Sequence, residues 1–216
     1  MSLVNAVEKA IRSQFEGDSS GHDWYHIQRV LRVSRHLQEK EGGDIETIEL
    51  AALLHDISDH KFNGGKLDEG GKLAHALLLE LGADEKLATD VKYIVDNVSY
   101  KGAGTEQEMN SLEGQIVQDA DRLDAIGAIG VGRTFAYGGH KGQPMYEPNR
   151  DPSLHQSFEE YANSKGNTIN HFYEKLLLLT ERLNTATAKK LGQQRHNFME
   201  QFLEQFYHEW NFNNNE

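Results

Sequence analysis

The stretch Leu50-Ala51-Ala52-Leu53-Leu54-His55-Asp56 places five aliphatic residues directly before a histidine and an aspartate. Asp44 lies upstream, where an N-cap would begin a helix that passes through this run. Because the run is apolar at nearly every position rather than on one stripe, we expect a buried helix. The same helix would deliver His55 and Asp56 together at its C-terminal end.

Apolar residues recur at helical spacing on both sides of this run, and no stretch alternates with period two for long enough to make a convincing strand. The sequence therefore predicts an all-α fold. A helix that ends at residue 123 should run into residues 125–132, whose small side chains favour close packing. Asp84 is a candidate N-cap for the helix expected over residues 87–98. Further helices are expected over residues 3–15, 27–37, 73–81, 87–98, 112–123, 169–183 and 191–210.

The three prolines, Pro144, Pro148 and Pro152, fall within nine residues of a polar stretch. This predicts a loop excursion outside regular helices over about 138–166. Loops of this length in a compact domain are usually functional lids or mobile segments, so the excursion is a candidate cover for a site. No internal repeat or linker interrupts the chain, so residues 1–216 are interpreted as one domain. Its core would span about 20–130 and its closing helices about 168–211.

The composition is that of an acidic globular protein: 38% of the residues are hydrophobic, and 34 acids against 22 bases give a formal charge of −12. No aliphatic run approaches the roughly 18 residues of a membrane span, and the N-terminus lacks the features of a signal peptide. We therefore expect a cytoplasmic protein with no membrane association. The negative field also disfavours nucleic-acid polymers as partners. Without cysteine, any metal must take nitrogen or oxygen ligands.

The strongest chemical feature is a set of two histidines and two aspartates on three expected helices. His55 and Asp56 end the buried helix, His26 lies on the helix before it, and Asp121 lies on a later one. Two imidazoles and two carboxylates suit a hard or borderline divalent cation. The alternative is that His26 is a satisfied core histidine and that His55-Asp56 is a pair at a helix C-terminus.

Three motifs in order, Gly21-His22-Asp23-Trp24-Tyr25-His26, Leu53-Leu54-His55-Asp56-Ile57-Ser58-Asp59 and Val117-Gln118-Asp119-Ala120-Asp121-Arg122-Leu123, resemble the HD-domain metal-dependent phosphohydrolases. Segments 93–99, 133–136 and 171–177 look like the branch of small stand-alone bacterial HD hydrolases. The resemblance, which runs from about residue 20 to 210, implies an HD-type helical bundle that holds one divalent ion such as Mn²⁺ or Mg²⁺.

The resemblance implies His26, His55, Asp56 and Asp121 as metal ligands, because the family pattern places the last ligand directly before a basic residue, here Arg122. Asp119 is the rival for that place, and the two aspartates cannot easily share one helical face.

Two residues near the metal motifs are candidates for moving protons. Asp59 follows Asp56 by three residues and is expected either to orient or deprotonate the attacking water or to cap a turn. His22 is expected either to protonate the leaving group or to cap the helix of His26. The candidate cations for substrate phosphate are Lys61, Arg122, Arg133, His171 and Lys175, of which the last two would share one helical face at i, i+4.

The resulting functional hypothesis is a metal-dependent phosphohydrolase that acts on a small phosphorylated metabolite, most plausibly a nucleotide. Conversion of a nucleoside triphosphate to monophosphate and pyrophosphate is favoured over removal of phosphate from a monophosphate, because the long loop and extra cations suit a polyphosphate tail. The alternative is a metal-containing ligand-sensing or interaction module with little turnover. Oxygen chemistry at a two-iron site is a third option, disfavoured by a missing histidine. The sequence does not fix the oligomeric state.

Overall fold

The computed structural model describes residues 2–15, 23–57, 69–99, 109–153 and 166–212. Within these ranges the regular secondary structure is helical and contains no strand, which confirms the predicted all-α fold. The helices are α1 (Leu3–Phe15), α2 (Trp24–Glu41), α3 (Ile45–Leu54), α4 (Gly70–Glu80), α5 (Glu85–Val98), α6 (Leu112–Asp124), α7 (Gly127–His140), α8 (Thr168–Glu174) and α9 (Ala186–Asn211).

Helix α3 lies at the centre of the bundle, where it packs against α1, α2, α5 and α6. The run from Leu50 to Leu54 is fully buried, as its composition predicts. The side chain of Asp44 accepts a hydrogen bond from the backbone nitrogen of Thr47 at 2.8 Å and caps the helix. Burial of each leucine side chain stabilises the fold by about 1.5–3 kcal/mol, so α3 is a rigid support for the residues at its end.

Helices α2 and α6 pack against each other and against α3. Asp23 caps α2, because its side chain accepts from the backbone nitrogen of His26 at 2.8 Å. The expected continuation of α6 into residues 125–132 is wrong. The chain leaves the helix after Asp124, and α7 begins at Gly127, whose φ of 75° lies in the left-handed region that favours glycine.

The predicted start of the loop excursion at residue 138 is also wrong, because α7 continues to His140. Gly138 is a packing residue: a Cβ at this position would overlap the hydroxyl of Thr168 at the start of α8. The three prolines lie in the irregular segment 141–153, as expected, and residues 154–165 of the predicted excursion are outside the described ranges.

The described part of the excursion is bound to the closing helices. The backbone nitrogens of Thr168 and Ile169 donate to the carbonyl oxygens of Pro144 and Met145 at 3.0 and 3.1 Å. The ring of Tyr146 packs among aromatic side chains of α9, with centroid distances of 5.2–5.9 Å to Phe206, Tyr207 and Trp210. Segment 141–153 is therefore a packed connection between α7 and α8.

The single helix expected over residues 169–183 is interrupted. Helix α8 ends at Glu174, and two short 3₁₀ segments, Leu176–Leu178 and Thr180–Arg182, precede α9. Leu176 and Leu179 are both buried, and their spacing of three residues matches the period of a 3₁₀ helix. No described helix combines the length and apolar character needed to cross a bilayer.

The junction of α6 and α7 predicts that alanine substitution of two glycines of α7 has different effects on the free energy of unfolding. A Cβ on Gly130 would overlap the backbone carbonyl oxygen of Ala125, whereas a Cβ on Gly132 meets no atom within 4 Å. We expect Gly130→Ala to lower the free energy of unfolding by about 1–3 kcal/mol. Gly132→Ala should leave it unchanged or raise it by up to about 1 kcal/mol through helix propensity. Urea denaturation measures both, and equal effects would contradict the tight junction.

Candidate metal centre

The site begins with His26, which lies in the first turn of α2 and is fully buried. Its Nδ1 is 2.7 Å from Oδ2 of Asp124, and its Nε2 is 3.1 Å from Nε2 of His55. His55 follows the last residue of α3, and its own Nδ1 is 2.8 Å from the carbonyl oxygen of Ala52. Each ring therefore has an acceptor at Nδ1 and turns Nε2 toward the other ring.

This arrangement fits a bound cation. When each Nδ1 carries the proton that it donates to its acceptor, each Nε2 carries a lone pair. Two lone pairs at 3.1 Å repel each other unless a proton or a cation lies beside them. Histidines that bind metal usually show this pattern, in which the second ring nitrogen donates to a carboxylate or a carbonyl.

Two carboxylates complete the set of donors. Oδ2 of Asp56 is 3.4 and 3.5 Å from the two Nε2 atoms, and Oδ1 of Asp121 is 3.6 and 3.9 Å from them. Neighbouring ligands of an ion with bonds of about 2.1 Å lie about 3.0–3.4 Å apart. Ligand atoms of His26, His55 and Asp56 all lie within 4.8 Å of one another, which suits one divalent cation, and Asp121 lies beside both imidazoles as the fourth expected ligand.

Burial divides this site into a closed and an open side. The two imidazoles are buried, whereas the side chains of Asp56 and Asp121 are 18% and 29% exposed. Water or a substrate can therefore approach from the carboxylate side.

Asp119 has a different environment from Asp121, although both lie on α6. Its Oδ1 accepts from the backbone and side-chain nitrogens of Asn184 at 2.8 and 2.9 Å. Its Oδ2 accepts from the backbone nitrogen and the hydroxyl of Thr185, both at 2.8 Å. Burial raises the pKa of Asp119, and these hydrogen bonds oppose the shift. The structure thus places Asp121, and not Asp119, beside the imidazoles.

Two residues that support His26 directly or indirectly, Asp124 and Arg29, were not expected from the sequence. Asp124 accepts from Nε and Nη2 of Arg29 at 2.7 and 3.0 Å and from Nη1 of Arg133 at 2.8 Å. Helical spacing could have indicated both residues. Asp124 follows Asp121 by three residues and Arg29 follows His26 by three, so each lies one helical turn from a predicted ligand.

The charges around His26 shift two pKa values in opposite directions. Burial alone lowers the pKa of His26, but hydrogen bonds to Asp124 and Asp56 outweigh it and raise the pKa to about 9 in the ion-free site. Burial tends to raise the pKa of Asp124, but its bonds to His26 and Arg29 and the charge of Arg133 hold it well below the usual range. Asp124 is therefore an ionised carboxylate.

Seven further residues were expected to act beside the metal ligands. His22, Asp59 and Lys61 lie outside the described residues. Arg122 is buried, and its guanidinium donates to the carbonyl oxygen of Arg182, which joins α6 to the second 3₁₀ segment.

His171 and Lys175 do not share a helical face as expected. Helix α8 ends before Lys175, whose φ of −142° departs from helical values. Both side chains are partly buried, and neighbouring Phe172 packs in the core. The i, i+4 argument for a joint phosphate site on α8 is therefore wrong.

The HD-domain family model matches residues 23–126. The Bacillus subtilis protein YpgQ is 38% identical over 200 residues, which cover 90% of this chain and 87% of YpgQ. This chain belongs to the HD-domain family. The resemblance stated from the motifs is confirmed.

Solved structures of HD-family relatives share the whole fold. A Lactobacillus plantarum protein is 37% identical, with a TM-score of 0.87 and coverage of 98% of both chains. An HD-superfamily hydrolase from Bacillus thuringiensis is 43% identical, with a TM-score of 0.71 and coverage of 97% of this chain and 95% of its own. YpgQ has been solved in complex with ADP; it has a TM-score of 0.72, and the alignment covers 94% of this chain and 95% of YpgQ.

The raised pKa of His26 predicts how pH affects the metal-free HD-family protein. Because the pKa is about 9 in the folded state against an ordinary 6.5, protonation of His26 favours folding. This contribution is complete below about pH 6.5 and is lost as the pH rises through about 9. In EDTA, the free energy of unfolding of the wild-type protein should therefore fall as the pH rises through this range. The fall should be larger than in the His26→Gln variant.

Added Mn²⁺ should reverse this trend, because the ion displaces the His26 proton. The stabilisation that Mn²⁺ adds should grow between pH 6 and 8, as urea denaturation with and without the ion would measure. A pH profile that His26→Gln leaves unchanged would contradict the assignment.

Asp119 and Asp121 of α6 predict a clear contrast in metal retention. Asp121→Ala should abolish retention of Mn²⁺, because it removes a donor within 3.6 Å of His26. Asp119→Ala should retain the ion but unfold at lower temperature, because four donors around Asn184 and Thr185 lose their acceptor. Elemental analysis and thermal melting of both variants test this, and metal loss only in Asp119→Ala would show that the wrong ligand was chosen.

Proposed function

We propose that this protein is a metal-dependent phosphohydrolase that acts on a small phosphorylated metabolite of the nucleotide class. The observation that carries the proposal is the convergence of four donor atoms, with nitrogen–nitrogen and nitrogen–oxygen separations of 3.1–3.9 Å, on the partly open side of a buried histidine pair. His26 and His55 would hold the ion through Nε2, and Asp56 and Asp121 through carboxylate oxygens. When bound, a divalent cation polarises a phosphoryl oxygen and lowers the pKa of a coordinated water.

Proton movement is assigned to two residues next to the ligands in the sequence. Asp59, three residues after Asp56, would orient the attacking water and take its proton on a carboxylate oxygen. His22 directly precedes Asp23, the N-cap of the helix that carries His26. From there its imidazole would protonate the leaving oxygen of the substrate.

Arg133 has the best support among the candidate phosphate-binding residues. Its Nη1 donates to Asp124, and its side chain is 18% exposed. A guanidinium has five N–H donors, so further donors of Arg133 can serve a phosphate group. Lys61 follows the HD dipeptide within five residues and would add positive charge.

His171, Lys175 and Arg122 have weaker support. The first two are partly buried, His171 within α8 and Lys175 directly after it. The guanidinium of Arg122 is buried against Arg182. We therefore assign Arg122 to the packing of α6 against the second 3₁₀ segment rather than to contact with phosphate.

Two observations support a nucleotide as the substrate class. YpgQ, a relative of similar length and fold, has been solved in complex with ADP. The net charge of −12 opposes long nucleic-acid backbones and favours a small ligand at a local cluster of cations. We favour a nucleoside triphosphate that is cleaved to monophosphate and pyrophosphate.

A nucleotide panel tests this function. Metal-free protein is incubated with nucleoside mono-, di- and triphosphates, Mn²⁺ or Mg²⁺ is added, and released phosphate and pyrophosphate are measured separately. We expect metal-dependent pyrophosphate release from at least one triphosphate. Asp121→Ala should lose turnover by about 10³-fold or more, since the barrier rises by about 4 kcal/mol when ion-dependent stabilisation is lost.

The matched control is Asp119→Ala, assayed below its melting temperature, which should keep the turnover. Phosphate release from monophosphates alone would replace the favoured reaction by monophosphate dephosphorylation. Ligand binding without release of either product would favour the alternative of a sensing module with little turnover.

A further inference from the structure

Asp124 lies one turn after Asp121 and is 3% exposed. Its carboxylate has a donor on every side. Oδ2 faces Nδ1 of His26 at 2.7 Å, Nη1 of Arg133 at 2.8 Å and Nη2 of Arg29 at 3.0 Å, while Oδ1 accepts from Nε of Arg29 at 2.7 Å. Both oxygens face N–H groups of the two guanidinium side chains, which can only donate, so the carboxylate is the hydrogen-bond acceptor of this cluster.

This environment determines which nitrogen of His26 carries a proton. Because Asp124 accepts at Nδ1, the single proton of a neutral His26 lies on Nδ1, and the lone pair of Nε2 then points toward His55 and the carboxylates. The other neutral tautomer would place a hydrogen on Nε2, where His55 lies at 3.1 Å, and would leave no lone pair for an ion.

We propose that Asp124 is a positioning residue of the metal centre. It fixes the ring orientation and the tautomer of His26 through Nδ1, while Arg29 and Arg133 fix Asp124. The inference rests on the ion-binding part of the proposed function and not on the reaction that follows. Partners of this kind behind a metal-bound histidine typically contribute about 10- to 100-fold to metal affinity.

Helix α6 supplies a matched control in Asp119. Asp119 is also buried and also accepts four hydrogen bonds, but its donors belong to Asn184 and Thr185. Substitution of either aspartate should destabilise the bundle by comparable mechanisms. Only substitution of Asp124 should change the metal centre.

The experiment compares Asp124→Ala and Asp124→Asn with Asp119→Ala and Asp119→Asn. The dissociation constant of Mn²⁺ is measured by titration calorimetry on each folded full-length chain, and the visible absorption spectrum of bound Co²⁺ reports ligand geometry. We expect Asp124→Ala to bind Mn²⁺ about 10- to 100-fold more weakly and to shift the Co²⁺ bands.

Asp124→Asn should lose less affinity than Asp124→Ala. Its amide oxygen can take the place of Oδ2, where three donors converge, and so keeps the bond to His26 without the charge. Both Asp119 variants should keep the wild-type affinity and spectrum despite lower melting temperatures.

Each outcome supports or overturns the inference. Wild-type affinity and spectra in the Asp124 variants would overturn it, as would an equal loss of affinity in folded Asp119 variants. If Asp124→Ala does not fold, the near-isosteric Asp124→Asn decides: weakened Mn²⁺ binding supports the role, and unchanged binding overturns it. Failure of the wild-type protein to bind Mn²⁺ or Co²⁺ would overturn both this inference and the proposed function. Ion binding without release of phosphate or pyrophosphate would overturn only the proposed function.

Discussion

The buried imidazole of His26 is the constraint on which the arrangement of the site depends. A buried ring nitrogen that lacks a partner costs free energy, so both nitrogens of His26 must be satisfied inside the bundle. Asp124 satisfies Nδ1 from the last turn of α6, and Nε2 faces His55 at the end of α3. Three helix ends must therefore meet at one ring. The packing of α2, α3 and α6 and the geometry of the candidate metal centre are consequences of the same requirement.

Helix α6 performs three tasks with three carboxylates. Residues two apart on a helix point about 200° away from each other, whereas residues three apart lie on one face. Asp119 therefore points toward the start of α9, where it fixes Asn184 and Thr185. Asp121 and Asp124 share the opposite face and reach the two nitrogens of His26. The same helix thus connects the closing part of the chain to the metal centre.

Local sequence patterns predicted the features that depend on neighbouring residues in the chain, namely the buried helix and the N-caps. The buried helix before His55 followed from its unbroken apolar run, and the N-caps at Asp44 and Asp84 followed from their side chains; both caps accept the expected backbone hydrogen bond. The order of the motifs predicted four metal ligands; the structure groups His26, His55 and Asp56 and places Asp121 beside both imidazoles. The arginine support of Asp124 escaped because Arg29 and Asp124 are 95 residues apart, and periodicity carries no information on such pairs.

Two boundary errors have equally specific causes. The excursion was expected from residue 138 because the polar stretch around the prolines begins there, but Gly138 lies inside α7, where only a residue without a Cβ fits against Thr168. Beyond Glu174, buried leucines three residues apart fit both an α-helix and a 3₁₀ helix. The pattern of apolar residues alone therefore cannot separate these two types of helix. The hydrogen bonds from Asn184 and Thr185 to Asp119 favour the tighter 3₁₀ turns.

The charges around His26 bear on the proposed phosphohydrolase function. Among the described residues, the carboxylates of Asp56, Asp121 and Asp124 face the cations of Arg29, Arg133 and protonated His26. The ion-free cluster is therefore electrically balanced, which lowers the cost of burying it. A divalent ion that displaces the His26 proton adds one net positive charge. Since Arg29 and Arg133 stay paired to Asp124, this added charge would appear on the exposed carboxylate side, where an anionic phosphate group can approach.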